Sequence, residues 1–301
     1  MDSLEKKVPV PRKPEWLKVK LPGGDNFKEI RENLKAKGLY TVCEEAGCPN
    51  IGECWSQKTA TVMILGDTCT RACKFCDVNT GNPKGFINHN EPIETANMVG
   101  IMGLKYIVIT SVDRDDLPDY GAKHFAEVVN KIHEIHPEVI VEVLIPDFCG
   151  VDEHMHILAK SNPFVIAQNL ETIKRLTSTV RDRRAGYETT LQCLDFYKKN
   201  YPHITTKTSL MMGLGETFAE IKEALTDLRA VDCDIVTFGQ YLQPTTRHLK
   251  IERYYHPDEF NELKNIAYAM GFKFVASGPL VRSSYKAYDY LTHLRERGVK
   301  V

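Results

Sequence analysis

The chain has 301 residues, with 39 Lys plus Arg against 40 Asp plus Glu, and is 43% hydrophobic and 26% charged. This is the balance of an ordinary globular protein; it excludes disordered, collagen-like and low-complexity classes, and a net charge of −1 gives no drive toward non-specific nucleic-acid binding. No apolar run approaches the roughly 18 residues of a membrane span. Residues 1–7 are charged and lack the apolar core of a signal peptide, so the cytoplasm is the default compartment.

Residues 1–25 are Pro-rich (Pro9, Pro11, Pro14, Pro22) and read as an extended basic arm with Arg12, Lys13, Lys18 and Lys20, pinned by Trp16 and Leu17. A helix is expected over 27–37, with Asn26 as N-cap, Glu29 completing a capping box, Phe27, Ile30 and Leu34 on one face and Gly38 as the stop. Pro49 and Gly52 make 41–58 a loop. Apolar runs then recur at 61–65, 106–110, 139–144, 164–167, 204–210 and 234–238, with helical periodicity at 122–135, 189–199 and 218–230 between them. Strands alternating with helices imply βαβ units and a parallel sheet. Six strands are too few for an eight-unit barrel and fit a partial (β/α)6 barrel of α/β class. A further apolar strand at 273–276 precedes a basic tail with Arg295, Arg297 and Lys300. The expected organisation is an N-terminal extension over 1–58, the partial barrel over 59–245 and a C-terminal extension over 246–301.

Sites in parallel α/β folds form at the C-terminal ends of strands. Those ends here carry Asp67-Thr68-Cys69, Thr110 to Asp113, Asn169-Leu170-Glu171, Gly213 to Glu216 and Gly239-Gln240-Tyr241.

Nine cysteines, an odd number with no secretory signal, argue against a disulfide framework, and six of them fall between Cys43 and Cys76. Cys69, Cys73 and Cys76 form a C-x3-C-x2-C triplet directly after the first barrel strand. Three thiolates hold three irons of a 4Fe–4S cluster and leave the fourth open for a ligand. Cys43, Cys48 and Cys54 form a second triplet, C-x4-C-x5-C, ahead of the barrel. A zinc site remains the alternative for each triplet on spacing alone. Cys149, Cys193 and Cys233 have no partner spacing and read as buried small hydrophobes; His154 and His156 read as surface or packing residues.

The first triplet, with aromatic Phe75 before its last cysteine, resembles the radical S-adenosylmethionine superfamily. Both triplets together, with Cys48-Pro49-Asn50, Gly66-Asp67-Thr68-Cys69-Thr70-Arg71, Asp113-Arg114-Asp115-Asp116, Gly239-Gln240-Tyr241 and Arg282-Ser283-Ser284-Tyr285, resemble the lipoyl synthase family over nearly the whole chain. The resemblance implies a sulfurtransferase that inserts two sulfurs at C6 and C8 of a protein-bound octanoyl-lysine. It implies S-adenosylmethionine and two 4Fe–4S clusters as cofactors: a catalytic cluster on Cys69, Cys73 and Cys76, and a sulfur-donating auxiliary cluster on Cys43, Cys48 and Cys54. Ser284, with Ser283 as runner-up, is the implied fourth auxiliary ligand. The implied S-adenosylmethionine contacts are Asn169, Glu171, Arg181, Gly213, Glu216 and Gln240. The partners are an octanoylated carrier (the glycine-cleavage H protein or an E2 lipoyl domain) and an electron donor such as ferredoxin or flavodoxin, with no nucleic acid and no membrane. The chain departs from the family pattern at Tyr120, at Gln168 and at Ser209, which stands in a usual glycine position. The charged loop Asp113 to Asp116 is expected to position ligand. The alternatives are a biotin-synthase-like or methylthio-transferring radical enzyme, or an iron–sulfur or zinc protein without catalysis.

Overall fold

A computed structural model describes residues 12–18, 31–32, 40–41, 50–56, 59–284, 289–290 and 292–293. The strands described are β1 Tyr40–Thr41, β2 Thr59–Ile64, β3 Thr68–Cys69, β4 Asn79–Thr80, β5 Tyr106–Ser111, β6 Ile140–Leu144, β7 Val165–Ala167, β8 Thr205–Met212, β9 Ile235–Gln240 and β10 Phe274–Gly278. Eight of them form one sheet in the order β1-β2-β5-β6-β7-β8-β9-β10. All neighbours are parallel except β1, which pairs antiparallel with β2. Chain order therefore equals spatial order from β5 to β10, the progression of an α/β barrel left open rather than closed.

The pleat explains what each strand buries. On β5, Ile107 and Ile109 belong to the large outer core under the helices, while Tyr106 and Val108 belong to a separate inner cluster. The outer layer has two halves, one against β2, β5 and β6 and one against β8, β9 and β10. The helices Ala122–Ile135 and Phe218–Ala230 match the sequence reading to the residue, and Tyr187–Asn200 brackets the expected 189–199. The base of the barrel interior is polar but paired. Lys207 Nζ donates to Glu142 Oε1 at 2.7 Å and the Tyr106 hydroxyl donates to Glu142 Oε2 at 2.6 Å. All three are buried, so each charge has its partner where water is excluded.

Two expectations change, those for residues 51–56 and for Cys149, and the strand near 273–276 is met. Residues 51–56 are helical rather than loop: Ile51 and Trp55, one turn apart, both enter the outer core, and that burial outweighs Gly52 inside the helix. The strand expected near 273–276 is β10, which pairs in parallel with β9. The sheet thus continues past residue 245 and draws the C-terminal extension into the fold. Cys193 and Cys233 are buried as expected, but Cys149 is exposed, in a turn where Phe148, Cys149 and Gly150 all have positive φ. Of the arm, Leu17 is buried and Trp16 packs edge-on against His256. The capping box at Asn26 and Glu29, most of the helix expected over 27–37, and Arg295, Arg297 and Lys300 lie outside the described residues. No described helix is long and apolar enough to cross a membrane.

Candidate active site

The C-terminal ends of the strands surround a cavity of about 270 Å³. Cys69, Cys73 and Cys76 all line it, together with Asp113, Asn169, Glu171, Arg181, Ser283 and Ser284. The β3–β4 ribbon opens and closes the cysteine loop, and Gly81 N–H bonds the Cys69 carbonyl at 2.9 Å to close it. Backbone N–H groups aim at sulfur: Arg71 and Asp113 at Cys69 (3.4 and 3.3 Å), and Asp182 at Cys73 (3.3 Å). Such donors favour bound thiolate and tune a cluster.

Left to themselves the thiols stay protonated. Burial and then the Asp113 charge push Cys69 up to about 12. Burial pushes Cys73 up to about 11 and raises Cys76 as well. Metal binding releases the proton from such thiols, since only the thiolate is a ligand. Among the described residues no three His, Cys, Asp or Glu side chains converge on one metal ion.

Arg71 organises the loop. Its guanidinium forms a two-pronged pair with Asp147 (2.7 and 2.8 Å), bonds Asp115 at 2.9 Å and stands 3.5 Å from Asp113. Arg71 and Asp147 are 4% and 1% exposed, so the cation is desolvated and its carboxylates are required. Asp113 lies on the cavity wall; burial pushes its carboxyl up to about 6 despite Arg71. Arg114 and Asp116, expected to position ligand, instead pair with each other at 2.8 and 2.9 Å while Arg114 bonds the carbonyls of Leu65 and Phe86. They brace the loop from behind.

The other expected contacts divide. Arg181 is buried on the cavity wall, and its Nη1 donates to Thr190 Oγ1 at 3.0 Å. Glu171, with φ +67, holds a left-handed conformation that costs a non-glycine residue free energy, and burial raises its carboxyl. Asn169 donates to it at 3.1 Å. Ser111 Oγ, Gln168 Oε1, Asn169 Oδ1 and Arg181 Nε are buried atoms of lining residues with no protein partner. A cavity with three thiols and four unpartnered polar atoms fits a cluster with a polar ligand on its open iron.

Gly213, Glu216 and Gln240 do not line the cavity. Glu216 accepts from the N–H groups of Gly213 (2.6 Å) and Leu214 (2.9 Å), closing the turn after β8. The Gln240 amide is consumed by the carbonyls of Met212, Tyr241 and Arg253 and by Tyr255 N–H. Gly213 has φ +101, and a Cβ there would collide with Gln240. These three shape the turn behind the wall. Of the departures, Tyr120 keeps a left-handed φ of +54, Gln168 enters the wall and Ser209 is buried, its carbonyl accepting Glu171 N–H at 2.9 Å. Asp147 was missed by sequence reading. It follows Ile145-Pro146 at the end of β6, and the strand-end rule applied there would have found it.

Asn50 ties the auxiliary segment to the C-terminal one: its Nδ2 donates to the Leu280 carbonyl at 2.6 Å. Gly239 permits the same approach from the sheet, since a Cβ there would strike the Val281 carbonyl. Ser283 and Ser284 thereby reach the cavity from the far end of the chain. Cys54 is half-buried and packs against the outer core; Cys43 and Cys48 lie outside the described residues.

An open α/β barrel with a cysteine triplet at its C-terminal face defines a radical S-adenosylmethionine enzyme, and the model of the radical SAM superfamily matches residues 63–228. The fold resembles those of methylornithine synthase (TM-score 0.53, 13% identity, 91% of this chain and 93% of that one) and a maturase of the [FeFe]-hydrogenase (TM-score 0.56, 11% identity, 90% and 79%). The model of the N-terminal domain of lipoyl synthase matches residues 2–48. Lipoyl synthases of Marinobacter nauticus and Deinococcus radiodurans are each 56% identical, covering 92% and 93% of this chain and 79% and 85% of their own lengths. That of Thermus thermophilus is 55% identical over 93% of this chain and 87% of its own. The chain belongs to the lipoyl synthase family, whose cofactors are S-adenosylmethionine and two 4Fe–4S clusters.

Proposed function

We propose that this chain inserts two sulfur atoms, at C6 and C8, into an octanoyl group carried on a lysine of a lipoyl carrier protein, either the glycine-cleavage H protein or an E2 lipoyl domain. The observation that carries the reading is the meeting of Cys69, Cys73 and Cys76 with Ser283 and Ser284 on one cavity. Cys69, Cys73 and Cys76 hold the catalytic cluster; Cys43, Cys48, Cys54 and Ser284 hold the auxiliary one. When bound, the first cluster supplies the electron that cleaves S-adenosylmethionine to a radical able to take hydrogen from unactivated carbon, and the second supplies sulfur. The chain's own residues bind, orient and shield. Arg181 Nε, buried and unpartnered, donates to a carboxylate, while the Gln168 and Asn169 side-chain oxygens, also buried and unpartnered, accept from hydroxyls. Gly213, Glu216 and Gln240 act behind them by fixing the turn. Ser284 offers a harder oxygen ligand than thiolate, suited to an iron that must be released.

An external donor such as ferredoxin or flavodoxin supplies electrons, and the reaction runs in the cytoplasm, a reducing compartment that keeps these cysteines free for metal. The test is anaerobic incubation with an octanoyl-lysine peptide, S-adenosylmethionine and reductant, read by mass. A gain of two sulfurs on the peptide, with about eight irons per chain, is expected. Zinc in place of iron, or cleavage of S-adenosylmethionine with no sulfur transferred by the fully loaded enzyme, overturns it.

A further inference from the structure

We propose that the exposed cations Lys74, Arg183, Arg247 and Lys250 form one docking face for an acidic surface of the carrier protein; this rests on the function proposed above. The four come from three segments that hydrogen bonds stitch together. Lys74 N–H donates to the Val180 carbonyl at 3.0 Å, and Ala72 N–H donates to Asp182 Oδ2 at 2.9 Å, joining the cysteine loop to the turn at 181–185. Leu249 N–H donates to the Lys74 carbonyl at 3.2 Å, and His248 Nε2 donates to the Cys76 carbonyl at 3.0 Å, joining the loop to the segment after β9. Beneath them Phe75, Val180, Tyr241, Leu249 and Ile251 pack as one apolar cluster. The platform is therefore built, and its cations are presented rather than trailing from separate loops.

All four side chains belong to exposed residues, and none has an ion-pair partner among the described residues. Their neighbour Arg184 shows the contrast, being paired with Asp182 at 2.8 Å and Asp115 at 3.1 Å. Of the nearby acids, Asp182 is paired with Arg184, while Asp77 is a single exposed carboxylate 3.7 Å from His248, fewer negative charges than the four cations. A local surplus of positive charge thus stands on a chain whose net charge is −1. Its place is the rim of the cavity, because Lys74 lies between the lining residues Cys73 and Phe75, and Arg183 two residues before the lining Ala185. A partner seated there points an acylated lysine inward. Four cations on a compact platform fit the acidic face of a small protein; a nucleic acid needs a longer basic track.

The test compares the wild-type chain with Arg247→Glu/Lys250→Glu, using an octanoylated lipoyl domain and, separately, a short octanoyl-lysine peptide. Fluorescence anisotropy should show carrier affinity about tenfold weaker in the variant at low salt, with most of the salt dependence gone. The neutral pair Arg247→Gln/Lys250→Gln should fall between. Thermal unfolding and turnover on the peptide should match the wild type. Unchanged carrier affinity overturns the proposal, as does an equal loss on the peptide. Loss of binding to a single-stranded RNA oligomer with carrier affinity retained assigns the face to nucleic acid and also overturns it. A wild-type chain that binds the carrier but adds no sulfur to the peptide refutes the proposed function, while the anisotropy still decides the docking face.

Discussion

Arg71 shows how much one side chain carries when its partners are buried. Replacing it with Met leaves Asp147, fully buried, with its charge unpaired, and frees Asp115 and Asp113 to repel each other. Removing one member of a buried pair costs about 3–5 kcal/mol, so urea unfolding of the metal-free Arg71→Met chain should show a loss of that size. The cysteines separate by role instead. Cys73→Ala removes a thiolate from the cavity wall and should abolish cleavage of S-adenosylmethionine, because two thiolates do not hold a cubane with an open iron. Cys48→Ala should leave cleavage intact and stop sulfur transfer. Measuring 5′-deoxyadenosine and peptide mass in parallel checks the division, and equal loss of 5′-deoxyadenosine in both variants refutes it. The same assay on Ser284→Ala should resemble Cys48→Ala.

Among the elements, the junction of β9 with the C-terminal segment positions the two serines. Gly239, one residue before the end of β9, carries no side chain where the Val281 carbonyl lies against it. Gly239→Ala forces that segment away and takes Ser283 and Ser284 with it, at a cost of about 1–3 kcal/mol from overpacking. The expected phenotype is retained cleavage of S-adenosylmethionine with sulfur transfer reduced at least as far as in Ser284→Ala. An active Gly239→Ala enzyme would show that the serines reach the cavity by another route. Helix Ile51–Ser56 makes the complementary contact through Asn50, so the auxiliary segment and the C-terminal segment brace each other across 230 positions of sequence.

At the scale of the molecule, the barrel base is closed by charge as well as by packing. Asp234, just before β9, accepts from Lys198 of the helix Tyr187–Asn200 at 2.6 Å and from Thr206 N–H of β8 at 3.0 Å, and forms an ion pair with Lys273 before β10 at 2.7 Å. Burial pushes its carboxyl up, but the bonds from Lys198 and Lys273 outweigh that and hold it below its ordinary value of 3.8. A depressed carboxyl stabilises the fold above its unfolded pKa, and the contribution is lost as pH falls through the lower folded value. Asp234→Asn should therefore lose about 2 kcal/mol or more at pH 7 and a smaller amount near pH 3, where the wild type has surrendered part of the same stabilisation. Urea midpoints at the two pH values test this, and an equal loss at both would show that Asp234 acts through shape alone.

What the sequence determined by itself was local: alternating apolar runs, helix periodicity and cysteine spacing place seven parallel strands, three helices and the first triplet, because each signal lies within a few residues. The resemblance in the motifs added the chemistry. Only the tertiary structure decided the rest. Ile51 and Trp55 become helical because a core receives them, β10 extends the sheet because β9 offers a free edge, and the Glu216 and Gln240 side chains brace the turn after β8 because backbone groups claim them. Asp147 joins the site through a partner 76 positions away, and Ser284 reaches the cavity through contacts to Asn50 and Gly239. Burial, pairing and close approach between distant segments are properties of the packed chain, and no window of sequence contains them.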